Sequence, residues 1–308
     1  MEPKSRIYVA GHNGLVGSAI VRALTRAGYT EIITVPRGDV DLRDPMLVRW
    51  MFSTYRPDYV FLAAAKVGGI KAHLKDPVGF LSDNLAIQQN VLLNAAEYRV
   101  KKLVFLGSNC IYPKDCPIPI KEDSLMAGAL EPSNEGYAIA KIAGIKLCQY
   151  LRRQSRCNFV SAMPCNIFGP HDRLDPENSH IVPGMMVRMH KAKLEGAGSF
   201  KVWGDGTAYR EILFSDDLAT DLITIMRSYD DEEPINVGGT ELPVMDIARA
   251  IASVVGLTCP LKFDPEQPTG IRRKPLNGTK MFKLGYIHHA LKDALRITYE
   301  DVVERLKA

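Results

Sequence analysis

Several signatures are missing from this chain, and each absence closes off a class of protein. The cysteines at 110, 116, 148, 157, 165 and 259 form no CxxC pair and no zinc-ligand spacing. That argues against a metal ribbon or a dithiol redox motif, and no metal site is expected. No apolar run approaches the ~20 residues of a membrane span. The opening MEPKSRIYVAG carries no apolar signal region, so the expectation is a cytoplasmic protein with reduced thiols. Lysines and arginines are scattered rather than blocked, and nothing in the sequence tracks a phosphodiester backbone. Internal repeats and low-complexity tracts are absent as well. The net charge of +4 suits small anionic ligands, not nucleic acid.

What remains is a globular composition, 46% hydrophobic over 308 residues, enough for one large domain or two. Short β-branched runs at 6–10, 31–35, 58–64, 102–108 and 159–165 alternate with helical patterns. Continuous apolar strands separated by helices predict a parallel sheet covered on both faces, the doubly wound α/β layout of Rossmann type. After Pro164 the texture changes. Residues 169–211 read as polar loops around one helix near 183–195, and 215–228 as a capped amphipathic helix followed by a strand in PINVGG. The expected organisation is a nucleotide domain over 1–168, to which 212–240 returns. A smaller α/β substrate domain is expected from 169–211 and 241–308.

The segment GHNGLVGSAI places Gly11, Gly14 and Gly17 between the first strand and the first helix. Glycines there permit a tight turn, close approach of backbone to a pyrophosphate, and close helix–strand packing. The helix N-terminus offers free N–H groups to the anion. At the end of the second strand stands Arg37, where an acid would bind the ribose 2′-hydroxyl of NAD. A guanidinium instead suits a 2′-phosphate, so NADP(H) is the expected cofactor.

In YAIAK, Tyr137 and Lys141 are four apart and share one helix face. A phenol of pKa about 10 is a poor acid–base partner for a carbonyl at neutral pH. A cation one turn away stabilises its phenolate. Ser108, at the end of the strand KLVFL, can bond the same oxygen. Such a trio serves a carbon that exchanges hydride with a nicotinamide. In LGSNCIYP the serine is followed two positions later by Cys110, which residue type alone would assign to a small apolar gap.

Together these blocks resemble the extended short-chain dehydrogenase/reductases acting on nucleotide sugars. Within them the chain is most similar to the GDP-L-fucose synthases, which are GDP-4-keto-6-deoxy-D-mannose 3,5-epimerase/4-reductases. The resemblance runs through GHNGLVGSAI, AAAKVGGI, LGSNCIYP, EPSNEGYAIAKIAGIKLC, MPCNIFGPHD, NSHIVP, VWGDGTAYREIL and INVGG. It implies that Ser108, Tyr137 and Lys141 serve the C4 carbonyl, while Cys110 and His180 exchange protons at C3 and C5. Implied cofactor contacts are Gly11, His12, Asn13, Gly14, Leu15, Val16, Gly17, Arg37, Asp41 and Leu42. Further along they are Leu106, Gly107, Lys141, Pro164, Asn166, Ile167 and His180. Asn13 stands where some relatives place a basic residue, which leaves Arg37 more of the NADP discrimination. For the nucleotide end of the sugar the resemblance implies Arg188, Trp203, Arg210 and Asn277, with Lys66 and His73 shaping the pocket. It also implies a homodimer through a bundle formed by helices near 80–98 and 137–154. The competing readings are another nucleotide-sugar 4-epimerase or 4,6-dehydratase of the same superfamily, and an NADP-binding sensor without turnover.

Overall fold

The computed structural model describes residues 1–175, 179–266 and 272–307. Asn178 of NSHIVP and the 267–271 part of the basic stretch lie outside the described residues. The first half alternates strand and helix: β1 (Ile7–Ala10), α1 (Leu15–Arg26), β2 (Ile32–Ile33), α2 (Pro45–Tyr55), β3 (Tyr59–Leu62). Next come α3 (Ile70–Lys75), α4 (Pro77–Glu97), β4 (Lys102–Leu106), α5 (Glu135–Ser155) and β5 (Phe159–Pro164). The second half holds β6 (Asn166–Phe168), α6 (Ile181–Leu194), β7 (Phe200–Trp203), β8 (Tyr209–Phe214), α7 (Ser215–Ser228) and β9 (Ile235–Val237). It ends with β10 (Thr240–Pro243), α8 (Val244–Val255), β11 (Leu261–Asp264), α9 (Thr279–Leu284) and α10 (Leu291–Lys307).

The main sheet runs β2-β1-β3-β4-β5-β9 with every pair parallel. Its strands are buried on both faces, as IYVA and FVSAMP predict, and Ile7, Val9, Leu103, Ala162 and Ile235 are fully inaccessible. Each such aliphatic side chain contributes about 1.5–3 kcal/mol relative to exposure. Helix starts follow from local chemistry. Asp44 caps α2 by accepting from the N–H of Met46 and Leu47, with Pro45 at the first helical position. Asp76 caps α4 in the same way, with Pro77 behind it. Helix α7 packs on α1, where Arg22 and Arg26 both reach the buried carboxylate of Asp216.

A second cluster of buried apolar residues gathers α6, α8 and α10 over strands β7 and β8, with Met186, Ile247, Ile251 and Leu295 at its centre. Two small sheets belong to this part: β10-β8-β6, and a parallel pair β11-β7. The structure differs from the sequence pattern at three places. The segment 169–211 is not loops around a single helix, since it contains β7 and part of β8. Ser215 does not cap α7, because it lies inside the helix and no side chain bonds the end. The strand read over 31–35 is shorter, only Ile32–Ile33.

Order reverses between β1 and β3, so the crevice for a ligand opens at their C-terminal ends. Gly11 sits there at φ 85°, and a Cβ on it would lie 2.8 Å from the Cα of Ala64. A Cβ on Gly17 would fall 2.0 Å from the carbonyl oxygen of Gly11, whereas one on Gly14 would meet that atom at 3.4 Å. Gly17→Ala should therefore destabilise the protein by about 1–3 kcal/mol, the range for inserting a methyl into packed backbone. Gly14→Ala should melt close to the parent. Equal thermal unfolding of Gly17→Ala and the parent would contradict this packing.

Candidate active site

A cavity of about 710 Å³ opens above the glycine turn and runs to the ends of β3, β4 and β5. Its lining includes residues 11–17, Arg37, Asp41, Leu42, Leu106, Gly107, Ser108, Cys110, Tyr137, Lys141, Pro164, Asn166, Ile167 and His180. All the residues singled out for cofactor and chemistry thus meet in one space. The glycine turn is a cradle that side chains would fill. Gly14 caps α1 without a side-chain bond, and no acid occupies the first turn. The backbone N–H groups there suit a pyrophosphate.

At the far rim Asp41 does not stand alone. Its carboxylate accepts from the Arg43 guanidinium, Nε to Oδ1 at 3.0 Å and Nη2 to Oδ2 at 2.6 Å. The exposed Arg37 lies 3.9 Å away. The hydrogen bond from Arg43 is the main reason that the Asp41 carboxyl drops to about 2. Arg43 also bonds Asp83 and lines the cavity. The sequence reading did not single it out, although it directly follows the Asp41-Leu42 pair.

Strand β4 delivers the chemistry. A Cβ on Gly107 would meet the sulfur of Met163 at 2.3 Å, so that side chain would have to move. Ser108 then caps a single 3₁₀ turn, Asn109–Ile111, by accepting from the Cys110 N–H at 3.3 Å. That turn sets the Cys110 sulfur beside the serine, where Asn134 Nδ2 donates to it at 3.3 Å. From α5, the buried Lys141 donates to the Leu106 carbonyl at 2.7 Å. Its nitrogen is 4.8 Å from the ring centre of Phe105 and 5.8 Å from that of Tyr137. Burial pulls the lysine down to about 7. Burial also raises the Tyr137 phenol, helped by the neighbouring Cys110 and opposed by a hydrogen bond from Ser108. Burial thus works against the charged form of both groups.

His73 packs its ring on Phe80 at 3.9 Å between centres and meets Tyr137 edge-on at 5.4 Å. His180 precedes α6 and faces the cavity, open to it but hemmed by protein. That crowding, and then the charge of Arg173, holds the imidazole below its ordinary pKa. A largely neutral ring results at pH 7.

The residues proposed for the nucleotide stand apart from this lining. Arg188, on α6, lies 4.8 Å over the half-exposed ring of Trp203 and 5.5 Å from Phe200. Arg210, on β8, donates to its neighbour's carbonyl, Tyr209, at 2.7 Å. Burial lowers both guanidinium pKa values. Asn277 bonds the Ile120 carbonyl through its N–H at 2.7 Å, and its side chain accepts from Thr279. Arg188 and Trp203 form a pair, but none of the four lines the cavity itself.

The profile of the NAD dependent epimerase/dehydratase family matches residues 7–238, and the chain belongs to this family. Among its relatives, GDP-L-fucose synthase 1 of Arabidopsis thaliana is 46% identical over 301 residues, covering 97% of this chain and 93% of the relative. GDP-L-fucose synthase of Escherichia coli is 42% identical over 312 residues, covering 98% and 97%. The crystal structure of a GDP-L-fucose synthetase from Naegleria fowleri bound to NADP superposes with a TM-score of 0.93 at 29% identity. It covers all of this chain and 95% of that one.

The depressed Lys141 has a consequence for stability. Its pKa is about 7 folded and about 10.4 unfolded, so the folded state binds fewer protons between those values. The cost of burying the ammonium is fully present below pH 7 and fades as the pH rises toward 10. Lys141→Met, which removes that charge, should gain stability over the parent most at pH 6 and least at pH 9. Thermal melts that differ by a constant amount across this range would contradict the assignment.

Proposed function

We propose that this protein converts GDP-4-keto-6-deoxy-D-mannose to GDP-L-fucose, inverting C3 and C5 and then reducing C4 with NADPH. One observation carries the reading beyond a simple reductase. A thiol, Cys110, and an imidazole, His180, share the cavity that holds Ser108, Tyr137 and Lys141. A ketone at C4 acidifies the hydrogens on both neighbouring carbons, because the electron pair left behind delocalises onto oxygen. Inversion then needs one group to remove a proton and another to return one from the opposite face. A thiol and a neutral imidazole are suited to that exchange. Ser108 holds the carbonyl oxygen, and Tyr137 passes it a proton as charge develops, while Lys141 favours the phenolate that remains.

Bound NADPH supplies the hydride for C4. The glycine cradle and the free N–H groups of α1 would hold its pyrophosphate, and Arg37 with Arg43 would face its 2′-phosphate. Arg188 and Arg210 suit the GDP diphosphate, and Trp203 suits stacking. The unit built on the main sheet takes the cofactor, and the part around α6, α8 and α10 takes the GDP end, with Asn277 beside it. A homodimer fits the apolar residues left open on α4 and α5. Val78, Leu93, Ile139 and Tyr150 are 74%, 44%, 44% and 57% exposed. The cytoplasm fits as the compartment, and among the described residues no helix is long and apolar enough to cross a membrane.

Pure protein with GDP-4-keto-6-deoxy-D-mannose should consume NADPH, followed at the absorbance of the reduced cofactor, and no consumption would defeat the proposal. Cys110→Ala should suppress solvent deuterium entry at C3 and C5 by ~10²–10⁴-fold, the usual weight of a general acid–base group, with cofactor binding intact. Tyr137→Phe should block hydride transfer yet allow that exchange. Failure of both variants at the same step would show the division of labour to be wrong. Arg37→Ala and Arg43→Ala should each raise KM for NADPH about tenfold, one charge-assisted bond, and leave KM for NADH nearly unchanged. An equal rise for both cofactors would remove the guanidinium–phosphate contact from the account.

A further inference from the structure

The sulfur of Cys110 lies between two side-chain amides. Asn134 Nδ2 donates to it at 3.3 Å, and Asn109 Oδ1 lies 3.9 Å away, placed to accept from the thiol hydrogen. Asn134 stands at the start of α5, where a side chain commonly caps the helix, but its side chain makes no capping bond. Among the described residues, its own Oδ1 is buried with no hydrogen-bond partner. An orphaned buried carbonyl oxygen costs about 1–3 kcal/mol, so the amide gives up both ordinary uses to face the sulfur. Tyr137 and Ser108 line the same cavity as the thiol.

A sulfur that exchanges protons with carbon must be tolerated in both forms. When Cys110 protonates the sugar, the S–H bond breaks, the C–H bond forms, and the electron pair stays on sulfur. In the reverse direction the C–H bond breaks, its electrons move toward O4, and sulfur gains the proton. An amide N–H serves the first form and an amide oxygen the second. We infer that Asn134 is a positioning residue for Cys110: its amide fixes the sulfur beside Ser108 and stabilises it when unprotonated, with Asn109 accepting from the thiol. This rests on the reading that Cys110 exchanges protons at C3 and C5.

Thiolate is the form that alkylates, so the contact can be read without turnover. The full-length protein would be treated with iodoacetamide at pH 7, and modification of the Cys110 peptide followed by mass spectrometry against the other cysteines. Asn134→Ala and the isosteric Asn134→Asp, which lacks the donor, should each slow alkylation of Cys110 about tenfold, the weight of one hydrogen bond to a charged group. Affinity for NADPH should stay within twofold, because the side chain caps nothing. Solvent deuterium entry into the substrate should fall alongside alkylation. Should Asn134→Ala fail to bind NADPH, Asn134→Asp carries the test with the side-chain shape kept. Cys110 alkylation within twofold of the parent in the folded variants overturns the inference and leaves the reading of the site standing. Full deuterium entry in Cys110→Ala overturns that reading, and this inference with it, and marks the reading as the source of the failure.

Discussion

Lys141 lies where the main sheet, helix α5 and the cavity meet, and its ammonium nitrogen donates to the Leu106 carbonyl at 2.7 Å. Few positions could hold a lysine this deeply, with 3% of its surface exposed. The bond ties the helix to the end of β4 and so fixes how far Tyr137, one turn earlier, stands from the strand. Ser108 and Cys110 leave the same strand within four residues of Leu106. Their spacing from the phenol is therefore set by the same contact. Phe105 supports the arrangement from below, with its ring under the lysine and against Gly144, where a Cβ would lie 2.5 Å from the ring.

The cavity combines two demands that pull in different directions. Reduction favours a dry site in which phenol and ammonium respond to each other. Proton exchange at carbon needs groups that gain and lose protons near neutrality. On the proposed roles, these tasks fall to groups on different elements. Tyr137 and Lys141 are buried on α5, while His180 opens onto the cavity from the start of α6 and Cys110 sits in the short turn after β4. Charges at the outer rim are paired before any ligand arrives, as Lys66 with Asp76 and Asp83, and Arg43 with Asp41 and Asp83, illustrate. A dianionic 2′-phosphate would compete for guanidinium groups already held by carboxylates.

Much of this was legible because it depends on local pattern. Strands such as KLVFL read as buried since every residue is apolar or covered, and GHNGLVG fell directly after the first of them. YAIAK needed only helical spacing to put phenol and lysine together. What escaped depends on partners distant in sequence. Strand β7 is short and alternates in exposure, and β8 starts uncovered at Tyr209, so VWGDGTAYRE read as loop until β11 and β10 paired with them. The cap read for 215–228 is missing, because the helix begins at Ser215 itself and Phe214, before it, has no side-chain acceptor. Arg43 and Asn134 acquired meaning only through Asp41 and Cys110, and the second of those contacts spans 24 residues of chain. The contact between Arg188 and Trp203, and their separation from the cavity lining, were invisible in one dimension.

On the proposed function, inversion and reduction occur in one cavity and draw hydrogen from different sources. A single turnover in D₂O with unlabelled NADPH, read by NMR of the product sugar, tests it directly. The claim requires deuterium at C3 and C5 and ordinary hydrogen at C4. Product without deuterium at those two carbons, or with deuterium at C4, would contradict it.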